Sequence, residues 1–128
     1  MKKIDLVIVD DETDIFKLYE VYLKKEVEAN EVVLHYYEDG NELVKDFENN
    51  KFQIDKTVVL SDINMPAING FDLLEKIKDR FDVAVYMVTA YNRDDYKQKA
   101  KKLGAIDLIA KPINFKELII LLREVYLS

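Results

Sequence analysis

Residues 58–70 read VVLSDINMPAING, and how that stretch is divided decides the architecture. Val58, Val59 and Leu60 run into Ser61 and then Asp62, where the apolar run stops. Asn64, Pro66, Asn69 and Gly70 follow at once with the chemistry of a turn. A short Val/Leu run closed by turn residues reads as a strand, TVVLS at 57–61, and four more runs join it: IDLVIV (4–9), VVLHYY (32–37), VAVYMV (83–88) and AIDLIA (105–110). In chain order the first, third and fourth are nearly continuous apolar runs rich in Val, Ile and Leu, as parallel strands covered on both faces are. Between the runs the spacing turns helical. Ile15, Leu18, Tyr19 and Tyr22 follow an i, i+3, i+4, i+7 pattern, and so do Leu118, Leu121, Leu122 and Val125. Asn114 with Glu117 has the form of a capping box, Asn92 is placed to cap the fourth helix, and Gly104 to end it. The alternation predicts (βα)5, one doubly wound α/β domain over residues 1–128, with no repeat or linker. Parallel crossovers are right-handed, and ligands in such sheets sit beyond the carboxyl ends of the strands.

Composition narrows the function. At 128 residues, 49% of them apolar, the chain can build one sizeable core. It has no cysteine and a single histidine, His35, which excludes disulfides, thiolate metal sites and multi-histidine zinc. No apolar stretch reaches membrane-spanning length, and MKKIDLVIVDDE meets acid too early for a signal peptide, so a soluble cytoplasmic protein is expected. A net charge of −6 argues against direct nucleic-acid binding. The basic cluster Lys97, Lys99, Lys101 and Lys102 reads as a solvated helix face in preference to an anion site.

The residues after each run carry the chemistry. Asp10, Asp11 and Glu12 follow the first strand, Asp62 the third, Thr89 and Ala90 the fourth, Lys111 and Pro112 the fifth. Taken singly, Asp10, Asp11 and Thr89 could be helix caps and Lys111 a surface residue. Together they deliver polar groups from four strands to one edge. Three carboxylates in one crevice repel one another, and a bound cation relieves them. Oxygen-only ligands with room for water suit Mg²⁺ better than a closed calcium cage. One carboxylate can then attack phosphorus while Lys111 and the Thr89 hydroxyl neutralise the transferring oxygens, which is the chemistry of an acyl phosphate.

Asp10-Asp11, Asp62 in DINMP, Thr89-Ala90 and Lys111-Pro112 resemble the receiver domain of two-component response regulators, the CheY-like branch of the flavodoxin-like folds, over essentially the whole chain. The resemblance implies strand order 2-1-3-4-5 and a phosphoacceptor signalling protein rather than an enzyme. Asp62 would take a phosphoryl group from a sensor histidine kinase or a histidine phosphotransfer protein, and lose it slowly by the domain's own action. Asp11 and Asp62 would ligate Mg²⁺ directly, Asp10 largely through water, and the Asn64 carbonyl would complete the set. Thr89 and Lys111 would hold the phosphoryl oxygens, Gly70 would let the acceptor loop turn, Ala90 would keep the approach open, and the Lys111-Pro112 bond would be cis. The surface of the fourth helix, fifth strand and fifth helix, with Tyr96 and the lysine cluster, would meet a downstream protein. Neither nucleic acid nor membrane is an expected partner.

One position departs from the family. The aromatic expected three residues before the lysine is Leu108, which has no ring or hydroxyl to switch between states. Tyr91 or Tyr86 could substitute, although ordinary packing is the plainer account of both. Asn64 and Tyr91 lie where receivers tune phosphoryl lifetime, and a tyrosine there predicts slow self-dephosphorylation. Phe16 falls off the apolar stripe of the first helix, either as a docking residue beside the acids or buried by the last loop. Rival readings fit less well. A haloacid-dehalogenase phosphatase needs an aspartate two residues after its nucleophile and a threonine two beyond, and neither Asp10 nor Asp11 has them. A flavodoxin-like carrier needs a first loop that cradles phosphate, which Asp-Asp-Glu would repel. A receiver fold kept only as a docking module, without phosphorylation, is the remaining alternative. The chain ends at Ser128 with the fifth helix, as either a stand-alone regulator or one domain of a longer protein.

Overall fold

The computed structural model describes residues 2–52, 56–65, 68–79, 83–91 and 94–128. Its strands are β1 Ile4–Val9, β2 Val32–Tyr37, β3 Lys56–Asp62, β4 Val83–Thr89 and β5 Asp107–Ala110. Its helices are α1 Asp14–Tyr22, α2 Lys24–Glu28, α3 Gly40–Glu48, α4 Gly70–Ile77, α5 Asp94–Lys102 and α6 Phe115–Leu121, the last continued by a π-helical turn, Leu122–Tyr126. The strands are parallel and lie in the order β2-β1-β3-β4-β5, the doubly wound arrangement expected. None of the described helices is long and apolar enough to cross a membrane.

The pleat sends alternate side chains to opposite layers. Ile4, Leu6 and Ile8 join Val58, Leu60, Ala84, Tyr86 and Val88 under α1 and α6, where Tyr19, Leu118 and Leu122 cover them. Val7, Val9, Val59, Val85 and Met87 face the other way, onto Leu43 and Phe47 of α3, Leu73, Leu74 and Ile77 of α4, and Ala100 of α5. Both faces of β1, β3 and β4 are therefore dry, which is why their sequences hold so few polar residues. β2 and β5 are the edges, half-exposed, and have room for His35 and Asp107.

The structure corrects several boundaries. β3 continues through Asp62, which pairs in register with Val88, so the acid is the last strand residue rather than the first beyond it. β5 begins only at Asp107, because the Ala105 amide is used to close α5 by donating to the Ala100 carbonyl, with Gly104 at φ 111° making the turn. Asn92 and Pro66 lie outside the described residues, while Asn114 caps α6 as expected, its side chain accepting from the Glu117 amide.

The first expected helix breaks at Leu23 into α1 and α2. Its buried stripe runs through Tyr19, Leu23 and Glu26, leaving Leu18 and Tyr22 exposed. A pattern search does not count a glutamate as inward-facing; Glu26 is buried because Arg123 meets it at 2.6 Å. At the other terminus Val125 is exposed, not buried as its spacing predicts. The π turn, closed by Leu127 N donating to Leu122 O, holds an extra residue, so Tyr126 turns inward and its hydroxyl lies 2.7 Å from that of Tyr86.

Candidate functional site

β1 and β3 are neighbours although β2 intervenes in sequence, and the chain leaves β1 for α1 on one face of the sheet and β3 for α4 on the other, which opens a crevice at their carboxyl ends. Strand register fills that crevice. Val9 pairs with Ser61, so Asp10 lies beside Asp62; Asp62 pairs with Val88, so Thr89 follows alongside; Thr89 pairs with Ala110, so Lys111 comes next. The Lys111 amide donates to the Thr89 carbonyl at 2.9 Å and fixes the last step.

The side chains converge. Lys111 Nζ donates to Asp10 Oδ2 at 2.9 Å and to Asp62 Oδ2 at 3.3 Å. The other Asp10 oxygen, Oδ1, accepts from the Glu12 amide at 2.9 Å, and the Asn64 amide approaches Asp62 Oδ1 at 3.4 Å. Asp10, Asp62 and Thr89 are buried, whereas Asp11 and Asn64 face solvent. One carboxylate oxygen from each of Asp10, Asp11 and Asp62 lies within 4.8 Å of the others. The Thr89 hydroxyl oxygen accepts from the Tyr91 amide at 3.0 Å. Gly70 is required where it stands: a Cβ there would come within 2.3 Å of the Asp62 carbonyl and 2.8 Å of Ile63 Cα.

Burial raises the Asp62 pKa above the usual carboxylate value; Lys111 opposes the rise and Asp10 adds to it. For Lys111, burial pulls downward, but its hydrogen bond to Asp10 and the fields of Asp10 and Asp62 outweigh that and hold the ammonium above the ordinary lysine value. Two unit charges about 4 Å apart near a protein surface repel by ~4 kcal/mol, a large share of a domain's net stability. Among the described residues, three carboxylates against one ammonium therefore leave a deficit of positive charge. The donors are all oxygen and one acid is solvent-facing, which fits a hard, partly hydrated cation such as Mg²⁺.

Asp10, Asp11, Asp62, Thr89 and Lys111 are thus brought together as expected, and the Lys111-Pro112 bond is cis. Phe16 is half-buried and stacks on Tyr36 of β2, centroids 4.7 Å apart. Tyr86 is buried and tied to Tyr126, which is ordinary packing, while Tyr91 is exposed. Leu108 is half-buried against the α3–α5 core layer. Missed in the sequence was an apolar cleft of 340 Å³ opening beside Asp10 and Lys111, lined by Ile15, Leu18, Ile113 and Phe115 among others. Ile15 and Leu18, three residues apart on α1, were its legible signal.

Residues 6–123 match the family described as response regulator receiver domain. Among solved structures, a chemotaxis response regulator of Vibrio cholerae is 25% identical, with 97% of this chain and 99% of that one aligned at a TM-score of 0.77. The receiver domain of a Saccharomyces cerevisiae response regulator, solved with a histidine phosphotransfer protein, is 23% identical over 96% of this chain and 88% of that one, TM-score 0.78. A CheX–CheY–BeF3–Mg²⁺ complex from Borrelia burgdorferi gives 24% identity, 97% and 90% coverage, and a TM-score of 0.80.

Proposed function

The chain belongs to the response regulator receiver domain family, and from that premise we propose that Asp62 is its phosphoacceptor in two-component signalling, served by Mg²⁺, Thr89 and Lys111. The observation that carries this is the unequal use of the three acids. Both Asp10 oxygens already accept hydrogen bonds, from Glu12 N and Lys111 Nζ, and Asp11 faces solvent. Asp62 is buried, raised in proton affinity by that burial, and bonded to the ammonium at 3.3 Å and to the Asn64 amide at 3.4 Å, both longer than the 2.9 Å bonds that Asp10 accepts, so its oxygens are the more weakly held and lie close to a cation. That oxygen bonds to phosphorus as the bond from phosphorus to the donor's histidine nitrogen breaks, the electron pair staying on nitrogen. Asp11 and Asp62 would hold Mg²⁺, with Asp10 acting largely through water and the Asn64 carbonyl completing the set, and the ion when bound would supply positive charge to the transferring oxygens. Lys111 moves its ammonium from Asp62 to the new phosphoryl group, and Thr89 turns its free hydroxyl hydrogen to another oxygen. Ala90, with a single methyl, leaves the approach open.

The donor is a sensor histidine kinase or a phosphotransfer protein, for which the Ile15–Leu18–Phe115 cleft beside Lys111 is the apolar landing. The downstream protein is met on the α5–β5–α6 surface. Intact mass after incubation with acetyl phosphate and Mg²⁺ tests the assignment. One phosphoryl group is expected on the wild type, and none without Mg²⁺ or in Asp62→Ala. A wild type that stays unlabelled under conditions that label another receiver would leave a docking module of the same fold.

A further inference from the structure

The amino ends of the strands, opposite the acid-bearing edge, carry charge of the other sign. Lys2 and Lys3 lead into β1 and Lys56 opens β3; Ile4 pairs with Lys56 in register, so the two strands start side by side. Together with Val125 and Tyr126 the three lysines line a cavity of 440 Å³, larger than the cleft beside Lys111. Lys3 and Lys56 are half-buried. Among the described residues none of the three has an ion-pair partner, and no acid lines the cavity. The chain as a whole carries −6, so this gathering of positive charge runs against the general field. The far wall is made by the π turn that continues α6. Such turns are rare and recur at functional sites. This one brings the Tyr126 hydroxyl to 2.7 Å from that of Tyr86 and leaves Val125 exposed at the cavity. One hydrogen bond between two hydroxyls uses one of their two hydrogens. Tyr86 is buried and has no other acceptor among the described residues, so it gives its own and the Tyr126 hydrogen remains. Burial holds the Tyr126 hydroxyl above the usual tyrosine value, and it stays protonated and able to donate.

We infer that this cavity is a binding site for a small organic phosphate with at least two negative charges, held by Lys2, Lys3 and Lys56 and walled by Val125 and Tyr126. Each part of the lining has its counterpart in that chemistry. Ammonium groups on flexible stems bind phosphate as point charges, and three of them call for more than one anionic charge. The Tyr126 hydroxyl donates to a phosphoryl oxygen. Val125 and the Tyr126 ring present an apolar face that a bare inorganic anion would leave wet, so the ligand has a carbon body as well as a charged head. A volume of 440 Å³ is in the range that small-molecule sites take. The site stands apart from the acid pocket and does not depend on Asp62 being the phosphoacceptor. β3 runs from Lys56 at one to Asp62 at the other, seven residues that span about 20 Å.

The probe is ADP, titrated in the presence of EDTA so that no metal-bound nucleotide enters the acid pocket, with backbone amide shifts followed by NMR. Saturable shifts are expected at Lys3, Lys56 and Tyr126, with the Asp62 and Lys111 amides unmoved. The double variant Lys3→Gln with Lys56→Gln should weaken ADP about tenfold, each lysine contributing the modest energy of a partly exposed charge pair. Lys101→Gln with Lys102→Gln removes the same charge from the exposed end of α5 and should weaken it by less than about twofold, as a screened, distant change does. An unchanged spectrum away from the substituted positions shows that each variant keeps the fold. Pyrophosphate, which has the charge without the carbon body, should bind less tightly than ADP. Shifts that do not saturate, shifts centred on Lys111, or equal losses in the two double variants overturn the site. Pyrophosphate binding as tightly as ADP overturns the organic ligand.

Discussion

Glu26 and Asp5 are buried acids with a basic partner each, Arg123 at 2.6 Å and His35 at 2.6 Å. Asp10 and Asp62 are equally buried and share one lysine, with Asp11 a third acid within 4.8 Å. The first arrangement is complete inside the chain. Among the described residues, the second is short of positive charge. Burial alone does not separate a structural acid from a functional one, but the local count of partners does, because an unpaired buried charge costs several kcal/mol and a domain keeps one only where something else supplies the counter-charge.

The comparison breaks if the paired acids prove indifferent to their partners. Replacing His35→Leu leaves the Asp5 carboxylate buried and unmatched, and is expected to lower stability by about 3 kcal/mol in urea unfolding. The double variant Asp5→Leu with His35→Leu should recover most of it, since the loss comes from the orphaned charge and not from the shape. The opposite sign is expected at the carboxyl edge. Asp62→Asn, measured with divalent cations chelated, should gain about 1 kcal/mol, because it relieves repulsion among the clustered carboxylates. A loss there would mean that Lys111 already balances the cluster.

The smallest effect sharpens the contrast in pH. Asp46 is held below the usual carboxylate value, first by the hydrogen bond it accepts from Tyr37 and then by Lys51, against the opposing effect of burial. A depressed folded pKa contributes stability that is present above the unfolded pKa, about 4, and is lost as pH falls through the folded value. Tyr37→Phe should therefore be less stable than the wild type at neutral pH, with the gap closing below about pH 4. Unfolding curves at pH 7 and in acid, run for both proteins, decide it.

Much of this was legible in the sequence, for reasons that also mark its limits. β1, β3 and β4 were readable because burial on both faces leaves only apolar residues. The four strand ends were readable because parallel strands deliver their last residues to one edge. What escaped depended on pairs distant in sequence. Glu26 reads as solvent-facing until Arg123, 97 residues on, is known to reach it. Val125 reads as inward until a π turn shifts the phase, and its cause, Tyr126 reaching Tyr86, is again a contact between remote residues. Phe16 read equally as a docking residue or as one buried by the last loop, because its ring partner, Tyr36, lies on a different element, β2. Periodicity sees one element at a time.

Strand order also sets a timetable during synthesis. IDLVIV of β1 has β2 and β3 as its two neighbours, and the second of these ends only at Asp62. At roughly 5–20 residues per second, a strand with two apolar faces and two open edges waits roughly 3–10 s for its last partner. Such a segment invites pairing with other chains unless charges guard its ends. Lys2 and Lys3 stand before it, Asp10, Asp11 and Glu12 after it. The acids clustered at the carboxyl edge of the finished domain are thus placed to act earlier as gatekeepers of the nascent one, so neutralising Asp10 and Asp11 together should first show itself as a poorer soluble yield.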